Sequence, residues 1–327
     1  MNKMLLPLVG AALSLPMLTS CSDEVVAAAH TLAFDSHPIG LEDRKMTKPE
    51  SYTEAKAGLG KKLFFEPRLS SNGKKTCESC HVHEKGWTDG IRYSTKVNGK
   101  MNSRNSPTLY NTGYHDKMYW DGRAPSLEAN IGAAWKGHMG GSAEVVAAIN
   151  KIEDYKKEFQ AAFGADATDK NIPEALAHFV RTLRAGDSAY DREEMSDDAK
   201  AGKELFFGKA ACGACHLAPL FTDMMFHNTG AGAGSDPGRG KIDKAMPGAF
   251  KTPTLRNVAK SAPYFHDGSV ADLEAAVRFM VGGGKANANL DKLLTKKDVS
   301  DTEIGQLVAF LKALSSNEKF EKPTLPK

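Results

Sequence analysis

The sequence has few cysteines, no long apolar run after its first twenty residues and almost no net charge. Its 327 residues include five cysteines, and four of them lie in two five-residue runs, so no pair is left for a structural disulfide. After residue 20, no apolar stretch reaches the ~20 residues that a membrane-spanning helix needs. The 43 basic and 40 acidic residues nearly balance, unlike the basic composition of nucleic-acid-binding proteins. These absences argue against a disulfide-stapled scaffold, a membrane span in the body of the chain and a nucleic-acid partner.

The four paired cysteines form two copies of the run Cys-x-x-Cys-His, which is the attachment signature of c-type haem. In such a run the two thiols add across the haem vinyl groups, and the adjoining histidine binds the iron. Zinc sites and redox dithiols need no histidine at this spacing. The sequence therefore predicts two covalently bound haem c groups, one on Cys77, Cys80 and His81 and the other on Cys212, Cys215 and His216.

The N-terminal residues predict export. Residues 1–20 hold one early charge, Lys3, and then a long apolar run, which is typical of a signal peptide that is removed from the mature protein. Leu18-Thr19-Ser20 before Cys21 resembles a lipoprotein box, so we expect a lipid anchor on Cys21 as the only membrane attachment. Ordinary cleavage with an unmodified Cys21 is the alternative. Residues 21–46 are predicted to be a tether, and the location to be the periplasm, at the outer membrane.

The chain also contains an internal duplication. Residues 55–65 before the first haem run resemble residues 199–207 before the second, as expected of a repeated unit. Each unit closes with an apolar helical pattern at i, i+3, i+4 and i+7, formed by Leu176, Phe179, Val180 and Leu183 in the first unit and by Ile304, Leu307, Val308 and Leu311 in the second. Ser300 and Glu303 are spaced as a capping box.

This plan predicts an all-α fold of two tandem cytochrome c-like domains, each with one covalently bound c-type haem. The predicted domains are residues 47–188 and 189–318, with residues 319–327 as a surface arm. Strand signals are sparse, and the Gly/Pro-rich stretch 230–253 is predicted to be an irregular loop over a haem face.

Longer motifs follow each haem run. Arg104-Asn105-Ser106-Pro107-Thr108-Leu109-Tyr110-Asn111 and Trp120-Asp121-Gly122-Arg123 come after the first, and Phe250-Lys251-Thr252-Pro253-Thr254-Leu255-Arg256-Asn257 and Ala262-Pro263-Tyr264-Phe265-His266-Asp267-Gly268 after the second. With both haem runs in the same order, the chain closely resembles the bacterial dihaem cytochrome c peroxidase and MauG family from about Lys48 onwards.

The resemblance implies roles for single residues. His81 and His216 match the proximal ligands of a peroxidatic and an electron-transferring haem, and Trp120 matches a tryptophan between them. Asn105, Ser261 and Pro263 match positions that hold calcium through oxygen atoms, which suits a hard cation. Met280 matches the sixth ligand of the second haem in the peroxidases, where MauG-like members carry tyrosine; Met246 is a rival ligand.

The distal side of the first haem departs from the family pattern. Residues 95–100 lack the histidine that many of these peroxidases bind to the resting iron, so this iron is expected to have an open position. Asn130 stands where the family places glutamine, and we infer that His138 replaces the distal glutamate as the acid/base group, since imidazole titrates in the useful range. Ligation of the iron by His138 is the alternative. Glu128 and His115 are weaker candidates for the same catalytic role.

The resulting prediction is reduction of hydrogen peroxide to water, with a small cytochrome c or cupredoxin as electron donor and a homodimer as the expected assembly. Two alternatives stay open: a MauG-like oxidase that modifies tryptophan or tyrosine on a partner protein, and a dihaem electron carrier without peroxide chemistry. The Met280 thioether favours the peroxidase because it raises the haem potential, whereas a phenolate lowers it.

Overall fold

The elements of the chain are mainly helical, as predicted. The structure is a computed structural model that describes residues 1, 38–42, 46, 51–234 and 236–327. The helices are α1 (Glu54–Phe64), α2 (Leu127–Ala134), α3 (Ala143–Asn150), α4 (Glu153–Phe163), α5 (Asn171–Arg181), α6 (Asp197–Phe207), α7 (Leu273–Val281) and α8 (Asp301–Ala313). Two short strands, β1 (Phe226–His227) and β2 (Phe250–Lys251), pair antiparallel.

The predicted signal peptide and Cys21 lie outside the described residues, as does most of the predicted tether. The chain divides into a unit Met1–Thr31, of which only Met1 is described, and a unit Leu32–Lys327. None of the described helices is long and apolar enough to cross a membrane.

The duplication is visible in the helix packing. Helix α1 packs on α5, and α6 packs on α8. Each pair crosses closely at a glycine, because a Cβ on Gly60 would lie 1.9 Å from the carbonyl oxygen of Ala175, and one on Gly202 would lie 1.9 Å from that of Gln306. Only glycine permits such an approach of two backbones. The capping box predicted for α8 is present, since Ser300 and Glu303 exchange side-chain to backbone hydrogen bonds.

Each helix pair has its own apolar core. One core runs from Leu59 to Ala185 around α1 and α5, and includes the predicted positions Leu176, Phe179 and Val180. The other runs from Phe206 to Leu314 around α6 and α8. These two cores fit the predicted tandem arrangement, and a third, smaller cluster contains residues of both predicted domains, among them Tyr114 and Leu220. The boundary near residue 188 stays a prediction.

The C-terminal tail does not stand free as a surface arm. Phe320 packs on Trp87 with ring centroids 4.9 Å apart and stacks on Phe65 at 5.6 Å. Lys322 forms an ion pair with Glu78, inside the first haem run. An aromatic side chain that fills a gap in an apolar cluster removes more surface from water than an extended arm would, so the tail folds back onto the first core.

A buried ion pair joins the segment before α6 to the motif 250–257, which follows the second haem run. Arg256 donates from both terminal nitrogens to Asp191, at 2.5 and 2.8 Å, and the two side chains are 0% and 1% exposed. Burial raises the pKa of Asp191, but hydrogen bonds from Arg256 and Ser188 outweigh it and leave the pKa below its ordinary value.

We expect Asp191→Ala to lower the free energy of unfolding by about 3–5 kcal/mol, because it leaves the Arg256 charge buried without a partner. Denaturant unfolding measures this. Glu194→Ala, which removes an exposed partner of Arg192, is the matched control and should cost at most about 1 kcal/mol. Since the pKa of Asp191 is lowered by folding, its contribution is full above its unfolded-state pKa and is lost as the pH falls through the folded-state value. Equal losses in both variants would contradict the expectation.

Candidate haem cavities and distal site

Two cavities open beside the two haem runs. The first, of about 670 Å³, is lined by Cys80 and His81 together with the predicted site residues Trp120, Asn130 and His138. The second, of about 220 Å³, is lined by Cys212, Cys215, His216 and Met280. The structure therefore brings each haem run together with the partners that the sequence predicted for it.

Both proximal histidines are oriented in the same way. The Nδ1 of His81 lies 2.8 Å from the carbonyl oxygen of Trp87, and the Nδ1 of His216 lies 2.9 Å from that of Phe221. Each carbonyl fixes the tautomer with the proton on Nδ1 and leaves Nε2 free for a metal. Burial lowers the pKa of both imidazoles, which keeps them neutral as ligation requires.

Three of the four haem-run thiols, Cys77, Cys80 and Cys212, have a raised pKa, which suits covalent attachment better than redox exchange. Burial raises the pKa of Cys77 to about 12 and that of Cys212 to about 11. A redox dithiol needs at least one thiolate with a lowered pKa. The thiol pairs, the histidines with free Nε2 atoms and the cavities beside them fit c-type haem in both places.

His138 lies on a π-helical turn, Trp135–Met139, that continues α2. The wider turn frees carbonyl groups, and those of His138 and Met139 accept from the backbone N–H groups of Val97 (2.8 Å) and Ser71 (2.9 Å). Such turns are frequent at functional sites. Val97 belongs to the loop 95–100, so the loop that lacks the family histidine is anchored directly against the turn that carries His138.

The surroundings of His138 keep its imidazole neutral. Burial lowers its pKa to about 4, and the positive charges of Lys96 and Arg123 act in the same direction. A neutral imidazole can accept a proton, which is the first requirement of a general base. His138 therefore lies in the cavity wall and is neutral at neutral pH, but its pKa lies below the range near 7 that favoured imidazole in the sequence analysis.

Of the other distal candidates, Asn130 lines the first cavity and Glu128 does not. The Glu128 carboxylate pairs with Arg181 at 2.6 Å, and hydrogen bonding to Arg181 lowers its pKa against the opposing effect of burial. The structure does not bring Glu128 to the catalytic position, because an arginine holds it outside the cavity. This pairing could not be predicted from local sequence, since the two residues are 53 positions apart in the chain.

Trp120 lines both cavities. Its indole Nε1 donates to the carbonyl oxygen of Asn105 at 2.9 Å, and its own carbonyl accepts from the backbone N–H of Lys251 at 2.7 Å. These bonds fix the indole in the wall that the two cavities share, which is the place implied for an electron-coupling tryptophan.

Met280 lies near the end of α7 and lines the second cavity with His216, whereas Met246 is absent from that lining. The structure thus favours Met280 over Met246 as the sulfur ligand of the second haem.

The three residues predicted to hold calcium all line the first cavity. The side-chain amide nitrogen of Asn105 donates to the carbonyl of Ile91 at 2.8 Å, which turns its Oδ1 away from that partner. In the described part of the chain, neither the Ser261 nor the Pro263 carbonyl accepts a backbone hydrogen bond. Oxygen atoms of these types are the ligands that calcium prefers.

Sequence reasoning missed two polar groupings. Cys215, Asp223 and His227 have potential ligand atoms within 4.8 Å of one another, but the haem run commits Cys215 to the haem. Lys251, which lines both cavities, contacts the Nδ1 of His115 at 2.9 Å. His115 was predicted only as a weak catalytic candidate, and Lys251 was not singled out.

Comparisons with known proteins identify relatives of this chain. Residues 54–200 match the family model described as di-haem cytochrome c peroxidase. The methylamine utilization protein MauG of Methylorubrum extorquens is 36% identical over 91% of this chain and 90% of its own length. The cytochrome c551 peroxidase of Pseudomonas aeruginosa is 32% identical over 84% of this chain and 83% of its own.

Among solved structures, a MauG-like protein associated with microbial copper homeostasis superposes with a TM-score of 0.76 at 31% identity, covering 84% of this chain and 96% of that one. The family implies two c-type haems and an oxidoreductase of the cytochrome c peroxidase type. The chain belongs to the dihaem cytochrome c peroxidase and MauG family.

Proposed function

We propose that this protein reduces hydrogen peroxide to water with electrons from a small redox protein. The observation that carries the proposal is the pairing of two different cavities: one with His81 and a neutral His138 in its lining, the other with His216 and Met280. When bound, the haems supply the iron at which peroxide is reduced and store electrons for that reduction.

The protein's own contribution at the first cavity is proton movement. One peroxide molecule, two protons and two electrons give two water molecules. His138 accepts a proton from the oxygen nearer the haem and returns it to the departing oxygen, so that water leaves instead of hydroxide. Asn130, in the same cavity wall, supplies a hydrogen bond that orients the peroxide. Acid/base help of this kind contributes ~10²–10⁴ in rate.

The contribution at the second cavity is electronic. His216 and Met280 would hold the second haem, and a thioether ligand would favour ferrous iron and raise the potential, which would suit a haem that collects electrons from outside. Trp120, in the wall of both cavities, couples the two sites. The donor in this proposal is a small cytochrome c or cupredoxin, and the protein acts in the periplasm, tethered through a lipid on Cys21 and assembled as a homodimer.

Spectra and turnover together test the proposal. The ferric holoprotein should show one high-spin and one low-spin haem, and peroxide should oxidise a reduced small cytochrome c in its presence. Two fully low-spin haems and no peroxide consumption would favour the electron carrier and contradict the proposal.

A MauG-like oxidase is the second candidate, and the 36% identity to the methylamine utilization protein MauG favours it. The loop 95–100 without a histidine agrees with it as well. One assay distinguishes the peroxidase from the protein oxidase. A peroxidase consumes peroxide in proportion to the reduced cytochrome supplied, whereas a protein oxidase consumes peroxide with a protein substrate and leaves modified tryptophan or tyrosine.

We further infer that Asn105, Ser261 and Pro263 bind calcium. Chelator should lower the Tm of the holoprotein and added calcium should restore it, because a ligand that binds only the folded state stabilises it. Asn105→Ala should remove the calcium-dependent part of the Tm. Asn102→Ala, which changes another asparagine in the cavity wall, is the control and should keep it. A Tm that does not respond to chelator in the wild-type protein would refute the site.

A further inference from the structure

The motif regions that follow the two haem runs can be aligned with each other position by position. Residues 104–123 align without a gap on residues 250–269, each with the residue 146 positions later. Short helical turns occupy matching places, Thr112–Tyr114 in the first copy and Val258–Lys260 in the second. Isolated bridges pair Met118 with Ala124 and Tyr264 with Val270. The two copies therefore fold alike, and residues at the same place in each can be compared directly.

The copies meet through a reciprocal pair of hydrogen bonds. The backbone N–H of Asn105 donates to the carbonyl of His266, and that of Lys251 donates to the carbonyl of Trp120, both at 2.7 Å. In the alignment Asn105 corresponds to Lys251, and Trp120 corresponds to His266. The junction between the copies thus has approximate two-fold symmetry, and each residue on one side of it has an aligned residue on the other side.

The counterpart of the proposed calcium site contains a lysine. Asn105, Ser261 and Pro263 correspond to Lys251, His115 and Lys117. The Lys251 ammonium donates to the carbonyl of Lys117 and to Nδ1 of His115, both at 2.9 Å. The carbonyl of Lys117 corresponds to that of Pro263, so the ammonium contacts the counterpart of one of the proposed calcium ligands.

This lysine is a partly buried cation without a protein counter-ion among the described residues. Burial lowers the pKa of Lys251 to about 8. Among the described residues, no carboxylate lies within ion-pairing distance of its Nζ. Burying an ammonium is costly unless it meets an anion. A carboxylate in the cavities that Lys251 lines would meet this requirement.

The neighbouring imidazole of His115 has a buried donor without a partner among the described residues. Lys251 donates to Nδ1 of His115, so the neutral imidazole carries its proton on Nε2. That Nε2 is buried and has no hydrogen-bond partner among the described residues, and His115 is one of the residues that line the first cavity. Buried polar groups in native proteins are nearly always satisfied, so an acceptor is expected there when the cavity is filled.

We propose that Lys251 and His115 form a binding site for a haem propionate, in which the lysine ammonium is the built-in counterpart of the calcium ion across the junction. A propionate carboxylate supplies both the negative charge that Lys251 lacks and the acceptor that His115 Nε2 lacks. Lys251 lines both cavities, so the carboxylate comes from the haem of either one. The inference rests on the haems that the family implies and not on peroxide turnover.

The midpoint potentials of both haems in the holoprotein test this site. We expect Lys251→Met to lower the potential of the haem that loses its cation by ~59 mV or more at pH 7, which is a tenfold change in the ferric/ferrous equilibrium for one electron. The shift should shrink at acidic pH, where a protonated propionate needs no cation. Lys251→Arg should keep the potential near that of the wild type. The haem whose potential moves identifies the source of the carboxylate.

Lys241 provides a matched control, because it also lines the first cavity but is exposed; Lys241→Met should leave both potentials unchanged. If Lys251→Met does not accumulate, His115→Phe removes the Nε2 donor and keeps the lysine. It should shift the resonance Raman modes of the propionate. Unchanged potentials in Lys251→Met, or unchanged propionate modes in His115→Phe, would overturn the proposal, whether or not the protein reduces peroxide.

Discussion

His138→Ala should slow peroxide turnover by about a hundredfold or more, because a positioned acid/base group typically contributes that much. His138→Glu should restore part of the rate, since a carboxylate at this place can also accept and return a proton. Steady-state peroxide consumption with a reduced small cytochrome c measures both variants. Lys136→Ala is the control: Lys136 lies on the same π-helical turn but is exposed and pairs with Asp169, so its loss should leave turnover unchanged.

The pH dependence of peroxide turnover is a second test of the role of His138. His138 has its pKa lowered to about 4, so the imidazole is neutral above that value and protonated below it. Turnover that depends on the neutral form is therefore full near pH 7 and is lost as the pH falls through about 4. This acidic limb should be absent in His138→Ala. A full rate in that variant would remove His138 from the mechanism.

Met280→Tyr should lower the potential of the second haem by on the order of 0.3 V, within the ~0.8 V that axial-ligand choice spans. A phenolate stabilises ferric iron, whereas the thioether stabilises ferrous iron. Electron uptake from a small cytochrome c should then fail while the first haem keeps its spectrum. Redox titration of the two haems measures the shift.

The matched control is Met246→Tyr, which changes a methionine outside the lining of the second cavity. It should leave both potentials in place. If Met246→Tyr shifts a haem potential and Met280→Tyr shifts none, the ligand of the second haem is Met246 and not Met280. The argument from Met280 for a peroxidase would then fail.

The parts of this structure that follow from local pattern were predictable from the sequence. Leu176 and Phe179 lie on a buried helix face because their spacing matches one turn of α5, and both are buried in the first core. The capping box of Ser300 and Glu303 depends on four consecutive residues, so it too was predictable. The haem runs carry their chemistry in five residues each, which is why the cavities lie where the motifs indicated.

The parts that depend on distant residues were not predictable. Glu128 was a reasonable distal candidate until Arg181, more than fifty positions away, was found to hold it outside the cavity. Lys251 gives no local sign of its contact with His115. The one signal that pointed to it was the alignment of the two motif regions, in which it takes the place of Asn105.

The folded-back tail has a consequence for the order in which the protein matures. Phe320 stacks on Phe65 and packs against Trp87, whose carbonyl holds the ring of His81. Domains usually fold as they emerge, N-terminal first, but here Phe320, which comes 239 positions after His81, completes the support of its ring. His81 is therefore fully supported only after residue 320 has been made and has folded back onto the first core.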